Sequence, residues 1–229
     1  MVIIITGASR GIGKYLISNI NAQDRVGTYN QTEPASTDSS TNYYKVDVEK
    51  ESDVINFAKK IEESYSGEKI VLVNNAGINI DSITHKYDKN DWDKVININL
   101  RGPFLMAKYI LPLMRDKNWG RIINISSVVS QMGVSGTVAY SASKSGLFGL
   151  TKTIAKENAK KGITVNCFSL GYFSAGMQKR LPQSTSQLIQ NQIPNGLFGD
   201  PQNILLAIEF LIKADYVNGS VININGGLY

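Results

Sequence analysis

The sequence predicts one α/β domain of 229 residues, a doubly wound parallel sheet of about seven strands with helices on both faces. Three observations carry that expectation. Val2, Ile3, Ile4 and Ile5 are four β-branched apolar residues in a row, the pattern of a strand buried on both faces. Glycines follow at Gly7, Gly11 and Gly13, and a helical pattern begins at once with Lys14, Tyr15, Leu16 and Ile17. Beyond them, short apolar strands alternate with amphipathic helices to the end of the chain, with no repeat, linker or break in composition.

The elements follow in order. Residues 25–29 read as a second strand. The stretch 30–41 is rich in Ser, Thr, Asp and Pro and has no helical period. A parallel crossover needs about a dozen residues, so the helix usual at this point is stunted or absent. Residues 42–46 form a third strand, ending in Asp47-Val48. A helix spans Glu51–Tyr65 with Val54, Phe57, Ala58 and Ile61 inward. Residues 70–73 are a short apolar fourth strand, capped by Asn74-Asn75-Ala76-Gly77. A long helical pattern over 92–114 is interrupted at Gly102-Pro103. Residues 121–125 form a fifth strand leading into Ser126-Ser127, and a helix over 140–160 is ended by Gly162. Residues 164–168 form a sixth strand, and 172–200 is irregular with short helical pieces. A last helix over 201–213 opens with proline near its start, and Val221–Ile224 is the last strand. This is a Rossmann-type order, in which a ligand lies outside the carboxyl ends of the strands. The segments 7–13, 74–77, Ser126-Ser127 and Gly171 all lie at such ends, so four loops converge on one crevice.

Composition narrows the chemistry. A chain of this length buries roughly 70% of its unfolded surface and needs no disulfide or metal to hold it. Cys167 is the only cysteine, which rules out an internal disulfide and a cysteine metal cluster. His85 is the only histidine and lies in the polar run 81–93, where it reads as a solvated loop residue. Ser-His-Asp hydrolysis is disfavoured, and no metal site is expected. The net charge of +5 comes from 24 basic and 19 acidic residues spread along the chain. No arginine-rich or aromatic-interleaved patch points to nucleic acid. Lys152, Lys156 and Lys160 share one helix face, either solvated or turned to an acidic partner. No apolar run approaches about 18 residues, so no membrane span is expected. The first strand starts at residue 2, so neither is a signal peptide, and the expected location is cytoplasmic.

Two features bear chemistry. A strand running through a glycine-rich turn into a helix amino end makes an anion site, where free N–H groups and the helix dipole face a phosphate. The spacing here is Gly-x-x-x-Gly-x-Gly. Tyr140 and Lys144 are four residues apart on one helix face. A lysine cation beside a phenol favours phenolate, so the tyrosine pKa is expected to fall toward neutrality. Such a tyrosine exchanges a proton with a carbonyl or alcohol oxygen, and Ser127 is placed to hydrogen-bond the same oxygen. Alone, Tyr-x-x-x-Lys is more often an ordinary surface pair; its neighbours change the weighting.

In this company the sequence resembles the short-chain dehydrogenase/reductase family, and within it the β-ketoacyl-acyl-carrier-protein reductases. The segments that carry the resemblance are Thr6-Gly7-Ala8-Ser9-Arg10-Gly11-Ile12-Gly13, Asn74-Asn75-Ala76-Gly77, Asn97-Ile98-Asn99-Leu100, Ser126-Ser127 and Tyr140-Ser141-Ala142-Ser143-Lys144, with 194–200 and Asn225-Gly226-Gly227. They match in order and spacing along the whole chain. The resemblance implies a catalytic set of Asn99, Ser127, Tyr140 and Lys144. Tyr140 would be the general acid, Lys144 would hold the nicotinamide ribose and lower the Tyr140 pKa, Ser127 would polarise the carbonyl, and Asn99 would kink its helix and hold a relay water. Cofactor contacts would come from Gly7, Ser9, Arg10, Gly11, Ile12, Gly13, Asn30, Asp47, Val48, Asn74, Ala76, Gly77, Tyr140, Lys144, Gly171 and Phe173. Asp47 and Val48 would meet the adenine, and Asn74 and Gly77 the adenosine ribose.

Relatives that prefer NAD put an acid at the end of the second strand for the ribose 2′-hydroxyl. Here Tyr29, Asn30, Gln31 and Thr32 precede the first acid, Glu33, and Arg10 is placed to pair with a 2′-phosphate. NADP(H) is therefore the expected cofactor. The family usually shows Pro-Gly after the sixth strand and a threonine four residues beyond that glycine. Leu170-Gly171 and Ala175 stand there in this chain, which loosens the start of the loop. A substrate lid is expected over about 172–200, with Phe173, Met177, Leu181, Leu188 and Ile193 as apolar lining, or as core, and 131–136 as the opposite wall. Three functions fit: reduction of a 3-oxoacyl thioester on a carrier protein or coenzyme A, reduction of a small ketone or sugar-derived carbonyl, or a non-catalytic NADP-binding sensor or scaffold. The resemblance also implies a homotetramer and admits an acyl-carrier protein as partner.

Overall fold

Strand β1 (Val2–Ile5) is buried along its whole length, with Val2 and Ile4 facing one apolar core and Ile3 and Ile5 the other. That two-sided burial places it inside the sheet. The computed structural model describes residues 1–34, 40–175 and 183–229. Among them the sheet comprises β1, β2 (Asp24–Tyr29), β3 (Thr41–Lys45), β4 (Ile70–Asn74), β5 (Gly120–Ser127), β6 (Ile163–Leu170) and β7 (Val221–Ile224). All neighbours are parallel, in the order β3-β2-β1-β4-β5-β6-β7. The chain winds outward from β1 one way through β2 and β3. It returns and winds the other way through β4 to β7, which opens a crevice at the carboxyl ends beside β1 and β4.

The helices cover both faces. On one side lie α1 (Gly11–Asn19) and a helix near the end of the chain, Gln202–Lys213; Leu16, Ile17, Ile204 and Ile208 fill that core. On the other side lies α2 (Glu51–Tyr65), whose inward residues Val54, Phe57, Ala58 and Ile61 are those its periodicity marks. Where one helix broken at Gly102-Pro103 is expected, there are two: α3 (Lys89–Ile96) and α4 (Gly102–Lys117). A five-residue π turn, Asn97–Arg101, joins them. The interruption precedes the glycine and proline, because Gly102 and Pro103 open α4, where proline's missing N–H costs nothing. Asp88 caps α3, accepting from the N–H groups of Asn90 and Asp91 at 2.8 and 3.2 Å.

Strands β5 and β6 are longer than the apolar runs suggest, eight residues each, and pair from Gly120–Ile163 to Ser127–Leu170. Ser126 and Ser127 therefore end the strand itself rather than the loop after it. A short helix, α5 (Val129–Met132), follows, then α6 (Val138–Asn158), which starts two residues before the predicted boundary. Within the stretch expected to be irregular, α7 (Gln183–Gln192) forms, followed by α8 (Gln202–Lys213). No helix is present in residues 30–34 of the crossover, as its composition suggests; residues 35–39 lie outside the described set.

The sheet centre carries a buried polar ladder. Asn74 Nδ2 donates to Asn124 Oδ1 at 2.9 Å, and Asn124 Nδ2 donates to Thr151 Oγ1 on α6 at 2.9 Å. All three residues are buried, so each bond is shielded from water and hard to replace. Asn124→Ala strips both partners at once and is expected to lower unfolding free energy by about 2–4 kcal/mol, measured by urea denaturation.

Candidate active site

The glycine loop and the end of β4 are stitched together. Thr6 Oγ1 accepts from the N–H groups of Asn75 and Ala76 at 3.0 and 2.9 Å, and Asn75 Nδ2 donates to Thr6 O at 2.9 Å. Gly7 has φ +67°, and a Cβ there would lie 2.9 Å from Ala76 Cα, so only glycine fits this crossing. Thr6 and Asn75 do not figure among the predicted contacts although both stand in the quoted segments; their part is to hold the loop open toward the helix. Arg10 is the N-cap of α1, makes no side-chain cap bond, and is exposed, and no acid stands in the first turn of α1. Ser9, Gly11 and Ile12 are half-buried around it, and Gly13 is buried beneath. The amino end of α1 thus faces the crevice with free N–H groups and positive charge.

At the adenosine end the predicted residues divide. Asn30 is exposed just beyond β2. The Tyr29 phenol is raised above its usual pKa, first by burial and then by the nearby Glu33 carboxylate. Asp47 is engaged in the turn into α2, its Oδ1 accepting from Glu49 N–H at 3.2 Å. Val48 is buried. The Asn74 side chain points into the sheet, bound to Asn124, so its backbone alone borders the crevice; its buried Oδ1 has no partner among the described residues.

The reactive end is tighter. Asn99 sits in the π turn, fully buried; its Oδ1 accepts from Ile78 N–H at 2.9 Å. Its Nδ2 donates to Ile78 O at 2.8 Å and Ser143 Oγ at 3.1 Å. Ser143, another residue outside the predicted set, donates in turn to Tyr140 O at 2.7 Å. On α6, Tyr140 and Lys144 are both buried, with the ammonium 5.8 Å from the ring centroid. Lys144 Nζ donates to Ile125 O, on β5, at 2.7 Å. The Ser127 hydroxyl lies close enough to the Tyr140 phenol to bear on its acidity.

Burial reverses the predicted direction of acidity. The Tyr140 phenol is pushed up to about 12 by burial, against a lowering by the nearby Ser127 hydroxyl, with Tyr172 adding to the rise. Lys144 is pushed down to about 8, again by burial. The expectation of a phenol acidified by its lysine is therefore corrected for this structure: both groups are out of water, and the ammonium is tethered to a strand carbonyl rather than to the phenol.

The lid residues also separate. The Phe173 ring is buried in the core, against Gly199, and Ile193 is buried; both pack rather than line. Leu188 is 65% exposed, and Met177 and Leu181 lie outside the described residues. The two ends of the segment are pinned together, Gly199 N–H donating to Tyr172 O and Ser174 N–H to Gly199 O, each at 2.9 Å. Gly171 N–H donates to Ile224 O at 2.9 Å. His85 and the lysines 152, 156 and 160 are exposed and stand apart from these groups.

With this geometry in view, the profile of the short chain dehydrogenase family matches residues 1–186. The chain belongs to that family. It is an oxidoreductase of the short-chain dehydrogenase type, with the Rossmann-like fold of that group. It is 38% identical over 237 residues to an acetoacetyl-CoA reductase of Shinella zoogloeoides, covering 100% of this chain and 98% of that protein. It is 36% identical over 243 residues to the 3-oxoacyl-[acyl-carrier-protein] reductase FabG of Thermotoga maritima, covering 99% and 97%. Among solved structures, a protein of Agrobacterium tumefaciens provisionally described as a gluconate dehydrogenase superposes with TM-score 0.90 at 27% identity, over 99% of this chain and 95% of that one. Among the described residues, no helix is long and apolar enough to cross a membrane.

Reductases of this family use a nicotinamide cofactor, and the crevice fits one. Gly77 stands beside the reactive groups: a Cβ there would lie 3.2 Å from Asn99 Oδ1 and 3.4 Å from Lys144 Nζ, filling the space a ribose would need. The open amino end of α1 suits a pyrophosphate.

The lysine shift has a thermodynamic consequence. The folded protein releases the Lys144 proton near pH 8, whereas the unfolded chain holds it to about 10.5. The cost of burying the ammonium is therefore present in full below pH 8 and disappears as pH rises through that window. Lys144→Met is expected to raise the thermal midpoint of the cofactor-free protein relative to wild type at pH 7, with a smaller difference at pH 10, by differential scanning calorimetry.

Proposed function

We propose that the chain is an NADPH-dependent reductase of ketone carbonyls, with 3-oxoacyl thioesters as its first substrate class. The single observation that carries this reading is the adjoining pair of Tyr140 and Ser127 hydroxyls, set beside Lys144 and Asn99 at the strand ends. The names of the relatives support the substrate class: one reduces acetoacetyl-CoA, another a 3-oxoacyl carrier-protein thioester. Either a carrier protein or coenzyme A would present the thioester, and a homotetramer is the assembly that the family resemblance suggests.

NADPH, when bound, supplies the hydride that no side chain can. The Gly7–Gly13 loop, Arg10 and the amino end of α1 would hold its phosphates. Asn30, Asp47, Val48 and Ala76 would border its adenosine half, and Gly77, which stands beside Lys144 rather than at the adenosine ribose, would join Lys144, Tyr140, Gly171 and the Phe173 backbone at its nicotinamide half. Ser127 Oγ polarises the substrate carbonyl by donating its proton as a hydrogen bond. Tyr140 then delivers a proton to the same oxygen. A phenol whose pKa is raised by burial is fully protonated at neutral pH, the state a reductase needs, and the alkoxide being formed is more basic than phenolate, so the transfer runs downhill. Lys144, largely protonated at pH 7, neutralises the phenolate left behind. Asn99 braces Ile78 and Ser143 and so fixes the wall behind Lys144.

Tyr140→Phe is expected to cut reduction of acetoacetyl-CoA by about 10²–10⁴-fold, while NADPH binding by fluorescence titration stays within twofold. Wild-type turnover in that mutant would remove the mechanism. Cofactor preference has its own test. Arg10→Ala is expected to weaken NADPH by about 10–100-fold and leave NADH nearly unchanged, since only the 2′-phosphate loses a charged partner; tighter binding of NADH than NADPH by the wild type would contradict the assignment.

A further inference from the structure

The wall of the crevice that carries Ser127 is held by a run of hydrogen bonds starting on the next strand. Ser169, on β6 and wholly buried, donates from its hydroxyl to Oε1 of Gln131 on α5. α5 has only four residues, too few for a helix to keep its own orientation. On its far side Gly133 and Gly136 both adopt positive φ, +68° and +87°, so the following loop is a weak support. The orientation of α5 therefore comes from its ties to neighbouring elements. Val128 N–H donates to Leu170 O at 2.7 Å, and Ser145 Oγ from α6 donates to Ser130 O at 2.9 Å. Ser130 Oγ donates to Ser127 O at 2.5 Å. The Gln131 side chain adds the only side-chain tie from α5 to β6 among the described residues.

That tie acts on the Ser127 hydroxyl through the backbone. Val129 N–H, at the start of α5, donates to Ser127 Oγ at 3.3 Å. A hydroxyl with a lone pair engaged this way keeps its own proton free and has its rotamer fixed. The bond is long, so a small tilt of α5 breaks it and releases the rotamer. We propose that Gln131 is a positioning residue: clamped to Ser169, it holds α5 so that Val129 N–H aims the Ser127 hydroxyl into the crevice. The clamp lies one residue before Leu170, the end of β6 that pairs directly with Ser127. This rests on the reading of Ser127 as the group that polarises the carbonyl.

The test uses the full chain, NADPH and acetoacetyl-CoA. Gln131→Leu keeps the bulk and removes the acceptor, Ser169→Ala removes the donor, and Gln131→Glu restores an acceptor. Gln131→Leu and Ser169→Ala are each expected to lower kcat about tenfold, with NADPH affinity within twofold of wild type. Gln131→Glu is expected to recover most of that loss. Added to Ser127→Ala, Gln131→Leu is expected to have no further effect, because the group it positions is gone. Wild-type kcat in Gln131→Leu or Ser169→Ala, or the same tenfold loss on the Ser127→Ala background, would overturn the proposal while leaving the reductase reading intact. If Gln131→Leu does not fold, the Ser169→Ala pair of measurements decides alone by the same criteria. A wild-type protein that binds NADPH yet reduces no carbonyl would overturn the functional reading itself and this proposal with it.

Discussion

The hydrogen bond from Lys144 Nζ to the carbonyl of Ile125 ties α6 to the middle of the sheet, alongside the bonds from Asn124 Nδ2 to Thr151 Oγ1 and from Ser126 Oγ to Lys144 O. Together they fix α6 against β5 in both rotation and height, and so fix where Tyr140, one turn before Lys144, presents its hydroxyl. Because β5 runs to Ser127 before its pairing with β6 ends, the same strand that accepts from the lysine also delivers the serine. Three groups from one strand and one helix thus meet with little freedom left. An ammonium out of water is costly, and the bond to a strand carbonyl is what makes it tolerable. A desolvated ammonium of this kind, set at the mouth of a crevice, is the sort of perturbed group that active sites collect.

The backbone frame was readable from residues because its signals are local. Four β-branched residues, a glycine turn and a helical period sit side by side at the start of the chain, and β1, the loop and α1 form there. The inward face of α2 follows from its spacing alone. The five segments that resemble the family's motifs, read in order, place Asn99, Ser127, Tyr140 and Lys144, and the fold gathers all four at the carboxyl ends. What escaped was non-local. The π turn that sets Asn99 depends on bonds to Ile78 and Ser143, far off in sequence. The extra length of β5 and β6 comes from pairing with each other, through residues such as Ser126 and Ser169 that carry no strand signal of their own.

The acidity of Tyr140 shows the same limit more sharply. A spacing of four residues says that a lysine and a tyrosine share a helix face; it does not say that both are buried, nor that the lysine already has a partner. Desolvation then outweighs charge, and the phenol moves up rather than down. The lid residues obey a similar rule: Phe173 and Ile193 look like lining in one dimension and prove to be core, because Gly199 and the C-terminal glycines make room for them. Leu170, one of the two departures from the family pattern, ends β6, where Val128 N–H donates to its carbonyl and Gly171 N–H donates to Ile224 O. The strand pairing, not a proline ring, holds this junction.

The account stands on the claim that burial keeps the Tyr140 phenol protonated and Lys144 only weakly basic before any ligand arrives. The most direct measurement is a pH titration of the cofactor-free protein labelled with ¹³Cζ-tyrosine, the Tyr140 resonance assigned by comparison with a Tyr140→Phe sample. The account predicts that this resonance stays in the neutral phenol position beyond pH 10, with a midpoint near 12. A Tyr140 signal that moves to the phenolate position near neutral pH would contradict it.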